Sequence, residues 1–94
     1  MSTLDIEQPD LIASAWCTDT ELMVRLSDGR RVAAPLWWYP RLLGAPPEQR
    51  AKVEIGRFGL HWEELDEDIE LAGLLLGAKA PGAKPPVAEL QPAE

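Results

Sequence analysis

Glu21-Leu22-Met23-Val24-Arg25-Leu26-Ser27-Asp28-Gly29-Arg30 decides the fold. Leu22, Val24 and Leu26 alternate with Glu21, Met23 and Arg25, the two-residue period of a half-buried strand. Asp28-Gly29 then signals a hairpin, because glycine reaches positive φ without steric cost. Upstream, Leu11 to Cys17 reads as a first strand, joined through Thr18-Asp19-Thr20. Downstream, Arg31 to Ala34 returns as a third. The expected outcome is an antiparallel meander.

Pro35 has no amide hydrogen and ends the pairing of the third strand. Pro40 suits the first turn of a helix running to Leu43, with Gly44 as its stop. Ala45 to Arg50 reads as another helical turn. Val53-Glu54-Ile55 reads as a strand, Gly56 to Gly59 as a turn, and Leu60-His61-Trp62 as a return to the sheet. Leu65, Ile69, Ala72 and Leu76 fall at helical spacing, which predicts a last helix capped by Asp66 or Asp68 and stopped at Gly77. Residues 78–94 hold four of the nine prolines, and the reading gives them no place in a regular element. The expected fold class is α+β: a small antiparallel meander sheet, two or three short helices packed on it, and a disordered Pro-rich C-terminal tail. The expected organisation is a polar lead-in over 1–9, one domain over 10–77 and a Pro/Ala-rich tail over 78–94, with Val87 and Leu90 available to dock on a neighbour.

Sixteen acidic residues against nine basic ones give a formal net charge of -7 in 94 residues. That balance opposes binding to a phosphate backbone, which needs accumulated cations. It favours a protein partner of basic character. A chain this short builds a small core, so a homodimer is a further expected source of buried surface. Cys17 is the only cysteine, which rules out an internal disulfide and a cysteine metal cluster within one chain. The N-terminus is acidic rather than cationic, and the apolar runs are far shorter than a membrane span. A cytoplasmic, reducing location is expected, without membrane association.

The densest chemistry lies in Leu60 to Glu70, where His61, the one histidine, is followed by six acids. Imidazole and carboxylates are metal ligands and acid–base groups. The spacing matches neither a His-Glu-x-x-His pair nor a calcium loop. A solvated acidic rim is therefore the plain reading of His61, Glu63, Glu64, Asp66, Glu67 and Asp68. Trp37-Trp38-Tyr39, bracketed by prolines, supplies either core or interface area. Trp16 and Trp62 are expected in the core. Arg30, Arg31, Arg41 and Arg50 belong to a candidate basic face, though ordinary solvated arginines with some salt bridges are the favoured reading. Cys17 reads as a structural thiol.

Leu22-x-Val24-x-Leu26-Ser27-Asp28-Gly29-Arg30, Leu36 to Leu43, Arg50, and Gly59-Leu60-His61-Trp62-x-x-Leu65-Asp66-Glu67-Asp68-Ile69 with Leu74-Leu75-x-Gly77 together resemble the domain of unknown function 2442 family over about residues 10–77. The resemblance implies a small sheet with short helices on one side and supplies no catalytic residues. It also implies small protein partners, toxin–antitoxin-like pairs among them. Some relatives carry a helix-turn-helix domain after this one, and the Pro/Ala tail here does not match it.

The expected function is a non-enzymatic protein-interaction module, the acidic partner in a toxin–antitoxin-like pair. Trp37, Trp38, Tyr39, His61, Glu63, Glu64 and Glu67 are its interaction residues. No catalytic residue, cofactor or metal ligand set is assigned. The alternatives are a small metal-dependent or acid–base enzyme centred on His61 and nearby carboxylates, and nucleic-acid binding through the arginine face.

Overall fold

The structure, a computed structural model, describes residues 11–86. Strands β1 (Ile12–Cys17), β2 (Glu21–Leu26) and β3 (Arg31–Pro35) form the first sheet in the order β1-β2-β3, both pairs antiparallel. Local chemistry makes both turns. The Thr18 hydroxyl oxygen accepts from the amides of Thr20 (3.2 Å) and Glu21 (2.9 Å). In the second turn the Asp28 carboxylate accepts the Arg30 amide at 3.0 Å, and Gly29 sits at φ 98°. Such side-chain-to-backbone bonds are why Ser, Thr and Asp recur in turns. Leu22, Val24 and Leu26 are buried, as their spacing predicts.

Pro35 ends β3, and Leu36–Trp38 form one 3₁₀ turn. Leu36 is fully buried, and its amide donates to the Thr20 carbonyl at 2.9 Å. Two single-turn helices follow, α1 (Pro40–Leu43) and α2 (Pro47–Arg50), each with proline in its first turn. Helices of four residues are not stable alone. Packing holds α1, whose Leu42 is fully buried, whereas α2 buries no residue.

The second half differs from the expected helix. Strands β4 (Glu54–Ile55), β5 (Gly59–Trp62) and β6 (Glu67–Glu70) form a second antiparallel sheet, β4-β5-β6. The segment 67–70 is therefore a strand. Its burial alternates, with Glu67 and Ile69 inward and Asp68 and Glu70 outward. Asp66, at φ 53°, makes the tight turn into it, a left-handed conformation that aspartate tolerates better than most residues. Neither Asp66 nor Asp68 caps a helix. Helix α3 (Leu71–Leu76) starts directly after β6 and buries Leu71 and Leu74, while Ala72 and Leu76 face solvent. Gly77, at φ 84°, closes it: the Ala78 amide reaches back to the Gly73 carbonyl at 2.9 Å.

Trp62 is 1% exposed and joins the two halves. Its indole N–H donates to the Arg50 carbonyl at 3.0 Å, tying β5 to α2. Trp16, expected in the core, is instead partly exposed on β1. The start of the Pro-rich segment is bound to the domain. The Ala80 amide donates to the Trp38 carbonyl at 3.0 Å, and the Lys79 ammonium lies 4.6 Å from the Trp38 ring centroid. Val87 and Leu90 lie outside the described residues, as does the lead-in over 1–9.

Among the described glycines, Gly59 is the one whose missing Cβ makes room for another strand's backbone. A Cβ built there would sit 2.4 Å from the Ile69 carbonyl oxygen, a contact only strand displacement relieves. Gly59→Ala should therefore cost at least about 2 kcal/mol, the range of strained and overpacked sites. Urea unfolding would measure it; an unchanged midpoint would mean that β5 and β6 are not in this register.

Candidate functional site

Antiparallel register sets a polar row across the outer face of the second sheet. Glu54 on β4 pairs with His61 on β5, and His61 pairs with Asp68 on β6. Two positions along from His61, Glu63 leaves β5 on the same side, as strand alternation requires. The imidazole is thus edged by carboxylates. Its Nδ1 lies 2.5 Å from Asp68 Oδ1 and its Nε2 lies 2.9 Å from Glu63 Oε1.

These neighbours push the His61 pKa up to about 9, through the hydrogen bond to Glu63 first and that to Asp68 second. The ring is therefore a cation at neutral pH, donating both N–H groups. A folded-state pKa above the unfolded value of about 6.5 sets the sign of the linkage. The contribution to stability is full below pH 6.5 and is lost as pH rises through 9. Because the pairs face water, it is small.

Glu54, His61 and Glu63 also meet the requirement for a cation site: one ligand atom from each lies within 4.8 Å of the others. Zinc ligands at about 2.0–2.2 Å stand roughly 3.4 Å apart in a tetrahedron, so exposed side chains close the difference by rotation. With an ion bound there, Asp68 would keep His61 Nδ1 in the outer position that orients metal-bound histidines, and Nε2 would be the ligand atom. Sequence reasoning reached His61, Glu63 and Asp68 but not Glu54. Only a strand pairing across Gly56–Phe58 brings Glu54 in, and a two-residue strand carries almost no periodic signal.

The remaining candidate residues are dispersed. Glu64 pairs with Lys52 at 3.2 Å. Arg30 pairs with Asp28 at 2.9 Å, and Arg31 stands opposite Arg25 across β2 and β3. Arg41 reaches the Asp66 carbonyl, and Arg50 donates to the Leu42 carbonyl at 3.4 Å. Trp37 and Trp38 are half-buried and meet edge to face. Tyr39 and Glu67 are buried, at 3% and 8% exposure. Burial raises the Cys17 thiol pKa, which Arg50 only partly offsets, so the thiol stays protonated and unreactive.

A family model described as a protein of unknown function, DUF2442, matches residues 12–80. The chain belongs to the DUF2442 family. The match runs through Ala80, in keeping with the bonds that hold residues 78–80 to this DUF2442 domain. The chain is similar to a crystal structure of a protein of unknown function from Rhodospirillum rubrum ATCC 11170. The two are 34% identical, with 81% of this chain and 96% of that chain covered and a TM-score of 0.68. It is also similar to the solution structure of an uncharacterized protein from Chromobacterium violaceum. Identity there is 26%, coverage 77% of this chain and 70% of that one, and the TM-score 0.66. No curated protein matches the chain. Among the described residues, no helix is long and apolar enough to cross a membrane.

The His61 ring gives a direct test of this geometry. Its ¹H–¹³C signals, followed by NMR, should titrate with a midpoint near 9, and Glu63→Gln or Asp68→Asn should each move that midpoint back toward 6.5. A wild-type midpoint near 6.5 would show that the two carboxylates do not hold the ring.

Proposed function

We propose that the outer face of the second sheet is the working surface of this domain and that it binds a divalent transition-metal ion through His61, Glu63 and Glu54. One observation carries the reading: His61 Nδ1 is taken by Asp68, Nε2 faces Glu63, and one ligand atom each of Glu54, His61 and Glu63 lie within 4.8 Å of one another. A mixed nitrogen–oxygen set suits zinc, whereas calcium and magnesium take oxygen ligands. Three protein ligands leave a coordination position for water, the arrangement that lets a metal lower the pKa of bound water for hydrolysis. His61 and the carboxylates in this reading are metal ligands and a positioning acid; the catalytic group would be the water.

Zinc titrations by calorimetry at pH 7.5 should give one site per chain. His61→Ala should abolish it. Asp68→Asn should weaken it by about 10–100-fold, as loss of outer-sphere partners does. The metal must displace the His61 proton, so affinity should rise with pH up to about 9 by as much as about tenfold per unit and level off above. Zinc binding of equal strength in the wild type and His61→Ala would dismiss the site.

A second reading keeps the same face and makes it a docking surface for a basic protein. Glu54, Glu63, Asp68 and Glu70 are all exposed, and Ile55 and Phe58 add exposed apolar area at the β4–β5 turn. The cation–π contact of Arg57 with Phe58, at 5.9 Å, is one that a partner would compete with. Capture of the same basic protein should weaken sharply with salt and fail with Phe58→Ser. Retention that ignores both salt and Phe58→Ser would remove this reading.

A further inference from the structure

Each face of β6 carries a carboxylate. Asp68 points to the His61 row, while Glu67 points inward beneath α3 and the segment after it. There it meets a cavity of about 260 Å³ whose lining includes Tyr39, Glu67, Asp68, Glu70, Leu74 and Lys79. One polar group in its wall lacks the hydrogen bond that burial normally demands, and one carboxylate there lacks an ion pair. The Tyr39 hydroxyl is fully buried and has no hydrogen-bond partner among the described residues. Glu67 is a buried carboxylate that makes no ion pair among the described residues; Arg41, whose charge acts on it, donates instead to the Asp66 backbone carbonyl. Buried polar groups are almost always satisfied, and an orphan calls for a water, an ion or a ligand.

We propose that this cavity is a subsite for one guanidinium group. The charge is set by Glu67, with Asp66 and Asp68 adding negative potential around it. Arginine's head group is weakly hydrated and planar, so it enters an apolar-walled cavity more readily than a lysine ammonium, and its fork of donors reaches two acceptors at once. The Glu67 carboxylate is the first acceptor, and the Tyr39 oxygen, closed to solvent in the free protein, becomes the second only as the guanidinium enters. The volume decides the size: 260 Å³ lies below the roughly 300 Å³ at which pockets begin to enclose drug-sized ligands. One side-chain end fits. Lys79 does not fill the role, because its ammonium lies over Trp38 and donates to the Gly77 carbonyl at 3.4 Å. Asp68 borders both sites, but the inference needs none of the proposed metal ligands His61, Glu63 and Glu54 and does not depend on the metal reading.

The test is an amide NMR titration of the full chain with free arginine, with N-acetyl-arginine methylamide, and with N-acetyl-citrulline methylamide as the uncharged control. Saturable shifts in residues 67–81 are expected with the arginine compounds, at a dissociation constant on the order of 1 mM for so few contacting atoms. Citrulline should give none. Response to the methylamide alone would mark the source as an arginine within a peptide; response to both would admit the free amino acid. Glu67→Gln should remove the saturable shifts. Tyr39→Phe should weaken binding severalfold while leaving the melting temperature unchanged or raised, because it deletes an unsatisfied hydroxyl. That second variant keeps the test valid if Glu67→Gln fails to fold. Absence of saturable shifts with both arginine compounds, or equal shifts with citrulline, would overturn the proposal and leave water as the occupant.

Discussion

The register of β5 against β6 is the constraint on which the rest depends. Trp62 stands opposite Glu67, and His61 stands opposite Asp68. A strand gives each residue one of two faces, so one pairing fixes four side chains together. Trp62 goes into the core and Glu67 goes in beside it. His61 goes out, and Asp68 goes out to hold it. A slip of one residue would bury the imidazole and expose the indole, which is the largest of the fully buried side chains. The polar face is therefore specified by the same burial that stabilises the fold. Gly59 reinforces the register from the far end, since only a residue without Cβ tolerates the Ile69 carbonyl there.

The first sheet was legible because its signals are local. Leu22, Val24 and Leu26 carry the two-residue period, and Asp28-Gly29 supplies turn chemistry within four residues. The second sheet was not, and the cause is specific. Leu65, Ile69, Ala72 and Leu76 fit a helical stripe by spacing, yet a strand, a tight turn and a one-and-a-half-turn helix share those positions. Glu67 hid the alternation, since a charged residue at an inward position breaks the apolar–polar pattern that marks a strand. The positive φ of Asp66, where a non-glycine residue makes the turn, left no Gly signal either.

The candidate site was partly legible for a related reason. His61, Glu63 and Asp68 lie within eight residues, so the sequence places them near one another. Glu54 joins through non-local pairing, which a single sequence does not report. Tyr39 and Glu67 were chosen as surface residues, and the structure places both inside. Tyr39 stood out in sequence as part of an aromatic run and Glu67 for its charge, yet both carry a polar group. Inside the protein that polarity becomes an unmet demand: burial and the nearby Glu67 charge push the Tyr39 hydroxyl pKa up to about 12, and burial raises the pKa of Glu67 itself. The net charge of -7 acts on both faces of β6, since it raises the affinity of each for cations and discourages phosphate.

The most direct test of the His61 face is a crystal grown with zinc and measured at the zinc absorption edge. The account predicts an anomalous peak about 2.0–2.2 Å from His61 Nε2, with carboxylate oxygens of Glu63 and Glu54 completing the protein ligands and Asp68 still on Nδ1. A peak elsewhere on the chain, with His61 Nε2 still bound to Glu63 alone, would contradict it.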